Sequence, residues 1–229
     1  MEGGSQKPAR PQTRDLSDLV VPRRPSGVPY AEGEDYDARE LLTVNGYSLE
    51  TQELIAALGA NLSIFQAAAA RLLGAKNERT AIPFLSKLAQ DTSVEETARG
   101  QAAYALARLG VPEGREVLAR LIEMNPEAGP APLQAAGALA RLGDPAGFPV
   151  VRHALQSSNS VIAMIACKQL YAFAEQEGAL LPGGDTVKVY EAFRWALSRP
   201  ERNITGEAKA QLVGLGTDEA RGLLKEFGG

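Results

Sequence analysis

Two stretches of this chain, QAAYALARLG at residues 101–110 and QAAGALARLG at residues 134–143, differ at one position and stand 33 residues apart. Around the first, Ser93 and Glu96 have the spacing of a capping box, and Ala98, Ala102, Ala105, Leu106 and Leu109 then recur at helical intervals on one face. Gly110 follows as a helix stop, because glycine adopts the left-handed conformation of a C-terminal cap at little cost. Pro112 then pre-sets the first turn of a second helix, whose buried stripe is Val117, Leu118, Leu121 and Ile122. The second stretch repeats this grammar with Ala135, Ala138, Leu139 and Leu142, then Gly143-Asp144-Pro145, then Val150, Val151, Ala154 and Leu155.

Looser copies extend the pattern in both directions: FQAAAARLLG ends at Gly74, CKQLYAFAEQEG at Gly178 and AKAQLVGLG at Gly216. With Gly110 and Gly143 these glycines recur every 33 to 38 residues, long enough for two helices and two turns. Small alanines on the first helix let neighbouring helices approach closely, while leucines fill the space between layers. One unit cannot bury its own stripe, so neighbours must stack and stability becomes a sum of nearest-neighbour interfaces. The expected fold is all-α, a right-handed α-α superhelix of about five helix pairs over residues 47–229. Residues 1–46, broken by Pro8, Pro11, Pro22, Pro25 and Pro29, are expected to form an extended tail. Its DLSDLVVPRRP segment at residues 15–25 reads as a linker or a docking peptide.

The run ALARLGDPAGFPVV (138–151) resembles the short HEAT repeats of bacterial phycobilisome-lyase-type proteins, with partial versions ALARLGVPEGREVL (105–118) and LGTDEARGLL (215–224). The resemblance covers roughly residues 61–229 and implies a HEAT-like solenoid used as a protein-binding scaffold, without fixed catalytic residues. It departs from the pattern at LLPGGD (180–185), which lengthens the fourth turn. It also implies an alternative, a subunit of a bilin lyase or isomerase, although no residue pattern marks a tetrapyrrole pocket.

Composition narrows the function further. A hydrophobic fraction of 45 % is ample for a core, and an aromatic fraction of only 6 % favours close-packed helices. The formal net charge of −4 opposes a nucleic-acid-wrapping surface, and with it a HEAT-like DNA glycosylase, which needs a basic groove. No secretion signal or membrane span is read in the sequence, and the lone Cys167, set in the apolar run VIAMIACKQLYAF, reads as a buried thiol; a cytoplasmic setting is expected. One histidine and one cysteine cannot build a paired-thiolate or two-histidine metal site, and the carboxylate pair Glu95 and Glu96 reads as helix-start charge; no metal, cofactor or catalytic residue is expected.

Two clusters are candidates for partner binding. Aligning the second helices by Leu85, Leu118 and Val151 puts Lys87, Arg120 and His153 at equivalent positions, joined by Arg152. In a HEAT array second helices commonly line the concave face, so these cations are expected to form a basic strip; the plainer reading is solvated charge. Tyr190, Phe193, Arg194 and Trp195 form the densest aromatic cluster, suited either to core filling or to a partner hot spot.

Overall fold

The computed structural model describes residues 19–20, 30–124, 129–175 and 185–228. Among them it shows twelve α-helices and no strand: an all-α repeat solenoid, as the periodicity predicts. The chain divides into two units, Met1–Ala105 and Leu106–Gly229.

In the first unit, α1 (Tyr30–Val44) and α2 (Thr51–Ala57) both pack on α3 (Ser63–Ala75), and α4 (Ile82–Gln90) follows after a tight turn. The helix α1 corrects the expectation of an extended segment through residue 46. The last of the clustered prolines, Pro29, precedes the helix, and Ala38, Leu41, Leu42 and Asn45 then fall at helical spacing and are buried. Gly46, at φ 81°, ends the helix in a Schellman cap, with Tyr47 N–H donating to Leu42 (2.9 Å) and Gly46 N–H to Thr43 (3.0 Å). The remaining tail positions of the 15–25 segment, apart from Leu19 and Val20, lie outside the described residues.

The helix α5 (Glu96–Arg108) carries the chain into the second unit. Its expected capping box does not form, because Ser93 turns back on Asp91. The Ser93 N–H and hydroxyl both donate to Asp91 Oδ1, at 3.0 and 2.6 Å. Its first helical N–H groups instead reach the Glu95 carbonyl, from Ala98 (3.1 Å) and Arg99 (3.2 Å).

In the second unit α6 (Arg115–Met124), α7 (Pro130–Arg141), α8 (Phe148–Leu155), α9 (Ser160–Glu175), α10 (Asp185–Leu197), α11 (Arg202–Leu215) and α12 (Asp218–Glu226) complete the series. Together with α3–α4 and α5–α6 they give the five expected helix–turn–helix units. The helix α9 is apolar almost all round, burying Ala163, Ile165, Ala166, Cys167, Leu170, Ala172, Phe173 and Ala174. A helix of that composition belongs in the middle, and α9 packs against α7, α8, α10 and α11. Asn159 starts it by accepting from the N–H groups of Val161 (3.0 Å) and Ile162 (3.4 Å).

Gly110 and Gly143 sit where the repeat places them, with φ of 72° and 76°. Each closes a Schellman cap, the next residue donating back to Leu106 (2.9 Å) or Leu139 (2.9 Å). Gly216 caps α11 at φ 62°. Gly74 does not behave this way: it is buried inside α3, and Asn77 takes the left-handed position three residues later, at φ 54°. Gly178 and most of the LLPGGD turn lie outside the described residues.

Candidate functional site

The second helices of three consecutive pairs start alike, with a single 3-10 turn at Arg79–Ala81, Pro112–Gly114 and Pro145–Gly147. Glu78 caps the first by accepting from Thr80 N–H (3.3 Å), and Asp144 caps the third by accepting from Ala146 N–H (3.0 Å). The turn fixes the rotation of the helix behind it. Leu85, Leu118 and Val151 therefore all face inward, while Lys87, Arg120 and His153, two positions on, are all exposed. Arg152 is exposed beside His153 on α8. Lys87 belongs to the first unit, and Arg120, Arg152 and His153 to the second.

In the first unit Lys87 borders an open groove of ≈ 300 Å³ between α2, α3 and α4. Its apolar wall comes from Ile55, Leu58, Leu88 and Val94, and Phe84, one turn before Lys87, leaves 49 % of its surface exposed. Asp91 closes the α4 end. Its carboxyl is held below the ordinary range, chiefly by the Ser93 hydroxyl and N–H, with Lys87 and Arg99 adding smaller attractions. Sequence reasoning found Lys87 and missed Phe84. Its signal was an aromatic side chain one helical turn before Lys87 and next to the buried Leu85, off the apolar stripe.

The aromatic cluster of α10 divides. Phe193 is fully buried, and Tyr190 lies beside it with ring centroids 6.3 Å apart. Tyr190 also shares a 2.8 Å hydrogen bond with the hydroxyl of Thr217, whose oxygen caps α12 by accepting from Ala220 N–H (3.1 Å). Arg194 points along the same edge and pairs with Glu226 at 3.0 Å. Tyr190 and Arg194, with Glu191, Glu219, Leu223 and Glu226, line a second open groove between α10 and α12. Trp195 is absent from its wall. It is half-buried against the core, and the Arg199 guanidinium lies 4.9 Å from its ring centroid. Arg199 also donates to the carbonyls of Leu155 (3.3 Å) and Ser157 (3.2 Å) and pairs with Glu201 (2.6 Å), so the Trp195 edge is a fastening between α10 and α8.

His153 is exposed on α8, whereas Cys167 is fully buried in α9, and burial, with Glu207 adding, pushes its thiol far above the ordinary range. Among the described residues no group of three His, Cys, Asp or Glu side chains is placed to hold a metal ion. No helix among them is long and apolar enough to cross a membrane. Both grooves offer an apolar wall and charged rim, an arrangement suited to holding a peptide or protein surface.

A family model of HEAT repeats matches residues 51–131, which supports a HEAT-like repeat protein. Among solved structures the chain is similar to the crystal structure of an engineered protein, at 22 % identity over 78 % of this chain and 85 % of that one, with a TM-score of 0.44. It is also similar to human deoxyhypusine hydroxylase in complex with glycerol, at 15 % identity over 94 % of this chain and 87 % of that one, with a TM-score of 0.33. No curated protein matches the chain.

Proposed function

We propose that this protein is a non-enzymatic scaffold that binds a protein partner along its second helices, and that the α2–α3–α4 groove is the principal contact. The observation that carries this reading is Phe84, left 49 % exposed one turn from exposed Lys87 above an apolar wall. An exposed aromatic continuous with an apolar groove is the kind of surface that marks a protein interaction site, and aromatic side chains are enriched at the cores of such interfaces. The partner surface that fits presents an apolar side chain beside a carboxylate. In the second unit Arg120 on α6, and Arg152 and His153 on α8, are further exposed side chains of the second helices. The resemblance of the repeats extends the reading to a bacterial cytoplasm.

Replacing Phe84 with a photo-crosslinking residue should capture a protein whose yield falls steeply when Lys87→Glu is added, while the melting temperature stays unchanged. Equal capture with Lys87→Glu, or capture of nothing above an inert-position control, sinks the proposal. Visible absorbance on co-expression with bilin synthesis would instead favour a bilin-handling subunit.

A further inference from the structure

One side chain of the first unit performs a task that neither the repeat fold nor the α2–α3–α4 groove requires. Asn45, immediately after α1, is fully buried. Its Oδ1 accepts from Val20 N–H (3.1 Å), and its Nδ2 donates to the carbonyls of Val20 (2.8 Å) and Leu41 (2.8 Å). The bond to Leu41, four residues back, ties the amide to the last turn of its own helix. The other two bonds take both backbone polar groups of one residue 25 positions away. Every hydrogen of the amide is used, and its oxygen is engaged as well.

What the amide reads is backbone. Val20 turns its side chain outward, 50 % exposed, while Leu19 is half-buried. A site that grips N–H and C=O of a single residue and leaves its side chain in solvent demands an extended, non-proline residue and tolerates its identity. Such pairing is the side-chain counterpart of strand addition at a sheet edge. It is also costly to leave unmade, because a buried amide without partners forfeits the hydration it gave up.

We infer that Asn45 is the clamp of a peptide-binding site whose ligand class is an extended segment, an apolar residue followed by any residue but proline, and that residues 19–20 of the chain fill it in cis. The tail is then an intramolecular competitor. Tethered, it holds a high effective concentration at the site, and a segment from another molecule binds only in proportion to the fraction of tail released. This deepens the scaffold reading and rests on it only in taking the displacing ligand to be a protein segment.

The test uses the full chain and its own sequence as probe, a fluorescent peptide of residues 15–25, and so does not depend on capture at Phe84. Val20→Pro deletes the N–H that Asn45 accepts, without touching the helices, and should free the site. The peptide should bind V20P at least about tenfold more tightly than it binds the wild type, the effect of one such bond. V20S, which keeps the backbone groups, should behave as wild type. The same peptide N-methylated at the Val20 nitrogen should bind V20P at least about tenfold more weakly than the unmodified one. N45L should bind neither, with helicity checked by circular dichroism. Equal binding to wild type and V20P, no binding to V20P, or indifference to N-methylation each overturns the inference.

Discussion

The ends of α3 and α5 read almost alike, Leu-Leu-Gly at residues 72–74 and Arg-Leu-Gly at 108–110, and their glycines are there for opposite reasons. Gly110 sits at φ 72° with nothing within 4 Å of where a side chain would begin, so its requirement is conformational. Gly74 lies inside a helix, and a Cβ there would stand 2.9 Å from both Cα and Cβ of Ala105, so its requirement is space. Gly147 extends the second class: its φ of −79° suits any residue, yet a Cβ would fall 2.5 Å from Cα and Cβ of Ala136. One repeat period thus carries two kinds of glycine. The first ends a helix, and the second lets two helices touch.

The comparison breaks most visibly where a glycine lies closest to another helix's backbone. Gly147→Ala should cost about 3 kcal/mol, the upper end for overpacking, because the obstructing atoms include backbone and cannot swing away. Urea unfolding of the variant decides it, and a loss below that of Gly110→Ala would erase the distinction. Gly74→Ala should cost about 1–3 kcal/mol on the same ground. Pairing it with Ala105→Gly should show a favourable coupling of about 1 kcal/mol in a double-mutant cycle, since the second change reopens the space. Additivity there would mean that the contact does not set the cost.

Gly110→Ala should cost about 1–2 kcal/mol, the penalty of a left-handed L-residue, and Gly110→Asn clearly less. Thermal denaturation of the pair separates a conformational cause from a steric one, which would rank Asn the worse. The smallest effect lies in the turn after α3, where Glu78 accepts from the Thr80 and Thr51 hydroxyls at 2.7 and 3.0 Å. Those bonds, the Thr80 hydroxyl first, hold its carboxyl below the usual 4.5. A depressed folded-state value means that this contribution is present above the unfolded value and lost as pH falls through the folded one. Acid titration should therefore release the Thr80 amide, followed by its NMR shift, only below 4.5, and Glu78→Gln should abolish the transition.

Much of this was legible because the repeat is nearly exact where it matters. The Ala102, Ala105 and Leu106 stripe and its copy at Ala135, Ala138 and Leu139 are buried, and the caps at Gly110 and Gly143 have the left-handed backbone that their position implied. The helix α1 was hidden by the prolines before it, although Ala38, Leu41, Leu42 and Asn45 carry the helical period. Lys87, Arg120 and His153 are exposed as their offset from the buried stripe required, since helical phase alone decides that. Phe84 beside Lys87, and the division of Tyr190 and Arg194 from Trp195, were not legible. They depend on which neighbouring helix covers each face.

The sequence by itself determined the helix pairs, their turns and which side chains of the second helices face solvent, because periodicity, capping and glycine backbone preference act within a few residues along the chain. Tertiary structure alone decided that Gly74 and Gly147 are contact points, that Arg199 reaches the end of α8, and that Val20 meets Asn45 across 25 residues. Those outcomes turn on distances between segments remote in sequence, and no local preference encodes a distance of that kind.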